Sequence, residues 1–339
     1  MLEYRTQGYN GYAIKYSPFF DNRLAAATAA NFGLVGNGRL YILRLTDKGI
    51  IHEKWFDTQD SIYDTAWSEI HENQLLAACG DGSVKLFDTL APDFPVQNFH
   101  EHNKEVYAVS WNQVTKDTFL SSSWDGTIKI WSPNRPQSLL TLPTHSCTYS
   151  STFSPHSPSI VSSVSSDSHL RIFDLRTSPS SSNHLVTLIP IHTSTAPNSL
   201  ISSISNPSEC LTHDWNKYNG SVIATGGVDQ VIRTFDLKAP KSGPVMVMRG
   251  HRYAIRKLAW SPHVSDIIIS GSYDMSVRIW SDKIGEIGVM MNHTEFATGV
   301  DWCLFGAEGW CASTAWDERI LVWDVKSFIP PQYSHRFSA

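Results

Sequence analysis

Three groups of residues in this chain carry the functional groups of nucleophilic catalysis. They are His102, Ser123, Asp125 and Trp131; His251, Ser272, Asp274 and Trp280; and His293, Thr314, Asp317 and Trp323. A hydroxyl, an imidazole and a carboxylate are the parts of an acyl-transfer triad, in which the base activates the hydroxyl and the acid orients the base. Repetition argues against that use. A triad works at one site with an oxyanion hole, whereas a group copied from segment to segment belongs to a repeated unit and staples it. The carboxylate then orients the ring and bonds turn amides, each bond contributing roughly 0.5–1.5 kcal/mol net. The nine residues other than the hydroxyls are therefore read as structural. Zinc is disfavoured because no paired His or Cys spacing occurs. The glycine-rich pieces Gly33-Leu34-Val35-Gly36-Asn37-Gly38 and Gly226-Gly227 read as turns, since neither leads into Lys-Ser/Thr and a helix. The expectation is a protein that is not an enzyme and needs no cofactor.

The unit that carries these groups is visible in the spacing. An aspartate is followed six residues later by Trp or Phe at Asp81/Phe87, Asp125/Trp131, Asp167/Phe173, Asp229/Phe235, Asp274/Trp280 and Asp317/Trp323. Successive aspartates lie 44, 42, 62, 45 and 43 residues apart, which matches the ~40–45-residue period of a four-stranded propeller blade with one insertion. A second aromatic marker sits 14 residues before the aspartate at Trp67, Trp111, Phe153, Trp215 and Trp260, and 15 before it at Trp302. Upstream, Gly36-Asn37-Gly38-Arg39-Leu40-Tyr41-Ile42-Leu43 copies the layout of Gly80-Asp81-Gly82-Ser83-Val84-Lys85-Leu86-Phe87, so a seventh, degenerate unit precedes the six. The alternation in Thr127-Ile128-Lys129-Ile130-Trp131 is that of a half-buried strand. Together these predict an all-β fold, a seven-bladed WD-repeat β-propeller occupying residues 1–339 as a single domain. The last unit lacks an outer strand, and Leu2-Glu3-Tyr4-Arg5-Thr6 can supply it, closing the ring and covering edges open to aggregation. The long interval holds a Ser- and Pro-rich insertion at about 177–208, read as a mobile surface loop around one outer strand, Leu185 to Ile189.

Composition narrows the partners. The chain has 339 residues, 41% of them apolar, with no apolar run approaching the roughly 18–20 residues of a membrane span. Direct membrane insertion is not expected. Neither is a secretory signal, because Met1-Leu2-Glu3-Tyr4-Arg5 has no basic region and no apolar stretch. Five cysteines without paired spacing point to a reducing compartment. Lys and Arg number 27 against 32 Asp and Glu, a net charge of −5, with no basic cluster, so nucleic acid is not expected as a partner.

In a blade of this kind the innermost strand runs downward from the upper face and the next one returns. Residues four before the marker and those just before the turn aspartate then emerge near the upper mouth of the channel. They include Tyr63, Tyr107, Tyr149 and Arg256, and Trp124, Tyr273 and Trp316, with Asp60, Asp64, Glu105, Glu209 and Glu295 beside them. Such an aromatic, acidic face suits a basic amphipathic segment: rings supply anchors and carboxylates pair Arg or Lys.

Several stretches are similar to the peroxin-7 family of peroxisomal import receptors. They are Gly11-Tyr12-Ala13-Ile14-Lys15-Tyr16-Ser17-Pro18-Phe19, Glu101-His102-Asn103-Lys104-Glu105-Val106-Tyr107, Thr225-Gly226-Gly227-Val228-Asp229, Tyr253-Ala254-Ile255-Arg256-Lys257, and Ser313-Thr314-Ala315-Trp316-Asp317. The brevity of the chain resembles a yeast member. The resemblance implies a soluble receptor, cytoplasmic and cycling to the peroxisome, for cargo enzymes such as thiolase that bear the type-2 peroxisomal targeting signal. That signal is an N-terminal helix with Arg-Leu at one end and His-Leu or Gln-Leu about two turns on. It also implies a fungal co-receptor peroxin and docking peroxins at the membrane. For signal binding the expected residues are Asp60, Asp64 and Glu105 for basic side chains, Tyr107, Trp124, Tyr253, Tyr273 and Trp316 for apolar ones, with Arg256 and Glu295 nearby. The competing expectation is a WD-repeat scaffold subunit of a chromatin or ubiquitin-ligase complex.

Overall fold

A computed structural model describes residues 1–178, 183–192, 207–306 and 308–337. Seven antiparallel sheets of four strands each form the blades, in each of the first six the strands lying side by side in chain order. The third blade shows the pattern, with Val106–Trp111 innermost, then Phe119–Ser123, Thr127–Trp131 and Leu140–Pro143. Its aromatic residues explain the repeat. Trp131 and Phe119 face each other across paired strands and pack with Phe99 and Trp111 in the wall between the second and third blades. The upstream marker has its own task. The indole N–H groups of Trp67, Trp111 and Trp302 donate to the carbonyls of Lys15, Ala66 and Ala259 at 3.1, 3.3 and 3.0 Å, each tying its blade to the one before.

The degenerate upstream unit is a full blade, Asn10–Tyr16, Arg23–Ala29, Gly38–Thr46 and Gly49–Thr58. Leu43, where other units carry an aromatic residue, is fully buried there. The ring closes as expected. Leu2–Arg5 pairs antiparallel with Arg319–Asp324, Leu2 opposite Val322 and Arg5 opposite Arg319, and Glu3 forms an ion pair with Arg319 at 2.7 Å.

The histidine staples are real, but their hydroxyl partner lies deeper than the spacing indicated. His102 Nδ1 meets Asp125 at 2.8 Å, while Nε2 meets Ser121 Oγ at 2.8 Å, and that same hydroxyl accepts from Trp131 Nε1 at 2.8 Å. The sixth blade repeats this with His251, Asp274, Ser270 and Trp280, and the seventh with His293, Asp317, Ser313 and Trp323. Ser123, Ser272 and Thr314 are thus not the members of these groups. The imidazole points into the sheet, so its far nitrogen reaches one step further down the strand. Ser123 and Ser272 instead close the turn, donating to Lys104 and Tyr253 carbonyls and accepting from the Asp125 and Asp274 N–H groups, all at 3.1 Å. Thr314 Oγ1 donates to the Arg319 carbonyl.

A fourth staple sits where only loop was expected. His192 contacts Asp229 at 2.7 Å and Thr225 at 3.0 Å. It lies 37 residues before its aspartate rather than 23, a difference of 14 that equals the length of the segment 193–206. The insertion therefore enters between the staple histidine and the inner strand Cys210–Trp215. Residues 179–182 and 193–206, most of the expected loop, lie outside the described residues. Leu185–Pro190 is the outer strand of the fourth blade.

Two outcomes test this core. Trp131 is fully buried; Trp131→Ala removes both its packing and its bond to Ser121, and is expected to lower unfolding stability by about 3–5 kcal/mol in urea titration. A loss below about 1 kcal/mol contradicts the packing described. Acid is the second. Burial lowers the pKa of His192 and His251 from 6.5 and pushes that of His213 down to about 4. Burial opposes ionisation of Asp125, Asp229, Asp274 and Asp317, but the hydrogen bonds and charge of their histidines, together with those of neighbouring side chains and amides, outweigh it and hold these carboxyls below the usual carboxylate range. The unfolded chain therefore binds more protons than the native one on both counts. Stability is expected to fall as pH drops from about 6.5 towards 4, through the histidines, and again below about 4, through the carboxyls. A denaturant midpoint that stays flat from neutral pH to pH ~4.5 contradicts the neutral buried imidazoles.

Candidate functional site

In every blade the innermost strand slips register near its upper end, and that of the fourth blade slips again at its far end, between Phe153 and Ser154. The upper slips fall between Gly11 and Ala13, Ile62 and Asp64, Val106 and Ala108, Thr148 and Ser150, Cys210 and Thr212, Ile255 and Lys257, and Ala297 and Gly299. A bulge leaves one residue unpaired and re-aims its side chain. The seven residues so released are Tyr12, Tyr63, Tyr107, Tyr149, Leu211, Arg256 and Thr298. Strand geometry thus collects side chains that are far apart in sequence around one opening.

Their rings join those at the turns in one belt. Tyr12 meets Tyr63 edge-on at 5.2 Å, Tyr63 stacks on Tyr107 at 4.7 Å, and Tyr107 stacks on Trp124 at 4.8 Å. Tyr149 stands edge-on to Tyr107 at 5.8 Å and to Trp124 at 5.9 Å. In the other direction Tyr12 contacts Trp316 at 5.8 Å, Trp316 contacts Phe296 at 5.1 Å, and Phe296 stacks on Tyr273 at 4.7 Å. Phe32 adds to Trp316 at 5.5 Å. Its loop is held by two bonds, Tyr12 Oη donating to the Phe32 carbonyl and the Phe32 N–H donating to Asn10. Asn31 and Phe32 both have positive φ, 49° and 57°, so the loop is held in a conformation that side chains disfavour. Among the described residues only the fifth blade contributes no ring. Burial raises the pKa of Tyr63 and pushes that of Tyr107 up to about 12, so these phenols are neutral donors at physiological pH.

The sequence-expected residues separate into groups. Tyr107, Trp124, Tyr273 and Trp316 belong to the belt and are half-buried. Tyr253 stands apart, 62% exposed. Asp60 and Glu105 are half-buried rather than fully exposed. Both lie close enough to Tyr63 to disfavour its ionisation. Asp60 Oδ1 accepts from the neighbouring Ser61 N–H, and the Glu105 carboxylate has no hydrogen-bond partner among the described residues, so both keep acceptor capacity. Glu295 is exposed, and Glu209 accepts from Tyr149 Oη at 3.0 Å.

Asp64 is a correction. The residue after the bulge points inward, so this carboxylate is 4% exposed, accepts from the Val109 N–H and lies 3.8 Å from Lys257. With Lys15, Asp214 and Asp301 it lines a cavity of about 240 Å³ inside the channel. It does not stand on the surface beside Asp60. Arg256 also departs from a simple surface role. It is 6% exposed, and its guanidinium lies 5.0 Å from the centroid of Tyr107, which belongs to the third blade.

Sequence reasoning missed Tyr12, Phe32 and Phe296 as belt members. Tyr12 precedes Tyr16 by four residues, the same offset as Tyr63 from Trp67. The long loop before Asn37 hid that alignment, because it stretches the distance from marker to turn. Phe296 lies six residues before Trp302, as Glu105 lies six before Trp111 and Glu209 six before Trp215, and its ring was the available signal.

The staple histidines and their hydroxyls are taken up inside the blades, while the face offers flat apolar rings and carboxylates with spare acceptor capacity. An elongated ligand with one apolar side and neighbouring cations matches those features.

Known proteins agree with this architecture. The family model described as WD domain, G-beta repeat matches residues 94–132, 136–174 and 242–281. The peroxisomal targeting signal 2 receptor of Saccharomyces cerevisiae is 41% identical, the match covering 96% of this chain and 99% of that protein. The receptor of the same name from Komagataella phaffii is 38% identical over 96% and 99% of the two chains, and that from Homo sapiens 37% over 87% of each. With relatives this similar over nearly its whole length, the chain belongs to the family of peroxisomal targeting signal 2 receptors.

Proposed function

We infer that this protein is the import receptor for cargo enzymes carrying the type-2 peroxisomal targeting signal, thiolase among them, and that it binds the signal helix across its upper face. The observation that carries this reading is the aromatic belt bordered by Asp60 and Glu105, on a chain of the receptor family. An amphipathic helix lays its apolar side chains on the rings, and its basic residue lies between the two carboxylates. Belt rings already packed on one another lose little side-chain entropy on binding, and pre-organisation of this kind favours affinity. Acidic groups near the rim also speed the approach of a positive ligand.

Exposed apolar side chains support a composite complex: Leu34, Val35, Tyr253 and Met291 are 83, 76, 62 and 75% exposed, and a separate co-receptor peroxin would find apolar surface there. Handover to docking peroxins at the peroxisomal membrane, and cycling between cytoplasm and peroxisome, complete the reading. No described helix is long and apolar enough to cross a membrane. The propeller acts without catalysis, and the whole chain works as one domain, the Ser/Pro-rich insertion at about 177–208 lying around the outer strand Leu185–Pro190.

Fluorescence anisotropy of a labelled helical peptide bearing the Arg-Leu and His-Leu pattern, with the purified protein with and without a fungal co-receptor, tests this. Binding is expected to weaken as salt rises through the range where the Debye length shrinks below about 10 Å. Exchange of the peptide's Arg-Leu pair for Ala-Ala is expected to abolish it. No binding with an active co-receptor present sinks the receptor reading and favours a scaffold.

Charge changes locate the site. Glu105→Arg and Asp60→Asn are each expected to weaken peptide binding by roughly tenfold or more, about 1.4 kcal/mol. The melting temperature should shift little, because each carboxylate makes few internal bonds. Unchanged affinity in both variants places the basic residue elsewhere.

A further inference from the structure

At the centre of the mouth lies a cation with no anion. Arg256 is 94% buried, since only 6% of its surface remains exposed, and no carboxylate or carbonyl among the described residues accepts a hydrogen bond from its guanidinium. Asp64, a carboxylate whose charge favours the guanidinium's, forms no ion pair with it and is held by Val109 and Lys257. What the guanidinium meets instead is Tyr107, at 5.0 Å. That contact supplies no hydrogen-bond acceptor, so the guanidinium donors are left to solvent at the mouth. Two more donors of the same belt are also left over. The indole nitrogens of Trp124 and Trp316 are buried without acceptors, and Trp124 stacks on the ring that Arg256 covers.

We propose that Arg256 is the acceptor-binding site of the receptor face: its guanidinium takes a side-chain hydrogen-bond acceptor, a carboxylate, carboxamide or neutral imidazole, from the bound helix. This rests on the receptor reading above and deepens it. The rim carboxylates attract a cation, and the central guanidinium repels one, so the two charges together fix which way the helix lies and which of its residues sits over the channel. A Lys or Arg at that residue meets a like charge in a poorly hydrated place. An apolar residue leaves the guanidinium unpaired. Only an acceptor satisfies it, and the planar fork of five N–H donors can serve either one oxygen or two.

The test is a double-mutant comparison on the full chain with its co-receptor. The labelled Arg-Leu/His-Leu peptide and variants with each polar residue changed in turn to Leu are titrated against wild type and Arg256→Met. One peptide position should cost wild type tenfold or more when its acceptor is lost and cost Arg256→Met almost nothing. Lys at that position should bind wild type worst and regain affinity with Arg256→Met. The free variant should melt within a few degrees of wild type, because the guanidinium makes no hydrogen bond to the described residues. Additive effects at every position overturn the proposal. So does a variant that melts lower and loses all peptides equally, which marks Arg256 as a packing residue. If Arg256→Met does not fold, Arg256→Lys decides by the same coupling, since it keeps the charge and loses the fork. Failure of wild type to bind the parent peptide sinks the receptor reading and this proposal together, whereas binding with additive effects sinks only the role of Arg256.

Discussion

The upper face depends on one backbone constraint, the bulge near the top of each innermost strand. A regular strand would send alternate side chains into the walls between blades and leave the opening lined by whatever fell on the channel side. The extra residue breaks that alternation at the same height in every blade. Seven side chains separated by tens of residues in the chain are thereby presented to one opening. The chain fills four of those places with tyrosine and one with arginine. The arrangement is rigid because each ring leans on the next, and aromatic pairs of this kind contribute about 0.5–1.5 kcal/mol beyond their burial.

That rigidity is set from behind by the staples. Each staple histidine hangs between a turn aspartate and a hydroxyl that also holds the blade's Trp in the third, sixth and seventh blades. The turn that follows Trp124, Tyr273 or Trp316 is fixed by the same aspartate, which accepts from the Thr127, Ser276 and Arg319 N–H groups within the turn and from the Asn103, Arg252 and Thr294 N–H groups beside the histidine. Structural and binding residues are thus neighbours in sequence with separate tasks. The aspartate faces inward and orders the turn, while the aromatic residue before it faces the mouth. This is why a set of residues with the composition of a hydrolase triad ends as scaffolding for a recognition surface.

Much of this was legible in the chain itself. The period of the Asp and aromatic markers defined the blades, and the missing outer strand of the last unit pointed to Leu2–Arg5. The mouth positions followed from counting back from the marker, which brought Tyr107, Trp124, Tyr273 and Trp316 together correctly. Counting failed where the backbone departs from the average unit. Asp64 falls one residue past the bulge and turns inward, a reversal that periodicity does not record. Tyr12 was concealed by a long loop in its blade, and His192 by a 14-residue insertion between it and its strand. The staple hydroxyl was misassigned because several serines lie along one strand, and only the reach of the imidazole distinguishes them. Burial of Asp60, Glu105 and Arg256 depends on neighbours from other blades, which a single unit does not contain.

The central claim is that a helical segment lies on the aromatic belt with its cation between Asp60 and Glu105. Photo-crosslinking tests it most directly, using the signal peptide with a photoreactive phenylalanine at each apolar position in turn and mass spectrometry of the adducts. The account predicts adducts on Tyr107, Trp124, Tyr273, Phe296 or Trp316, changing from blade to blade as the probe moves along the helix. Adducts confined to outer strands or to the lower face, with the belt unlabelled, would contradict it.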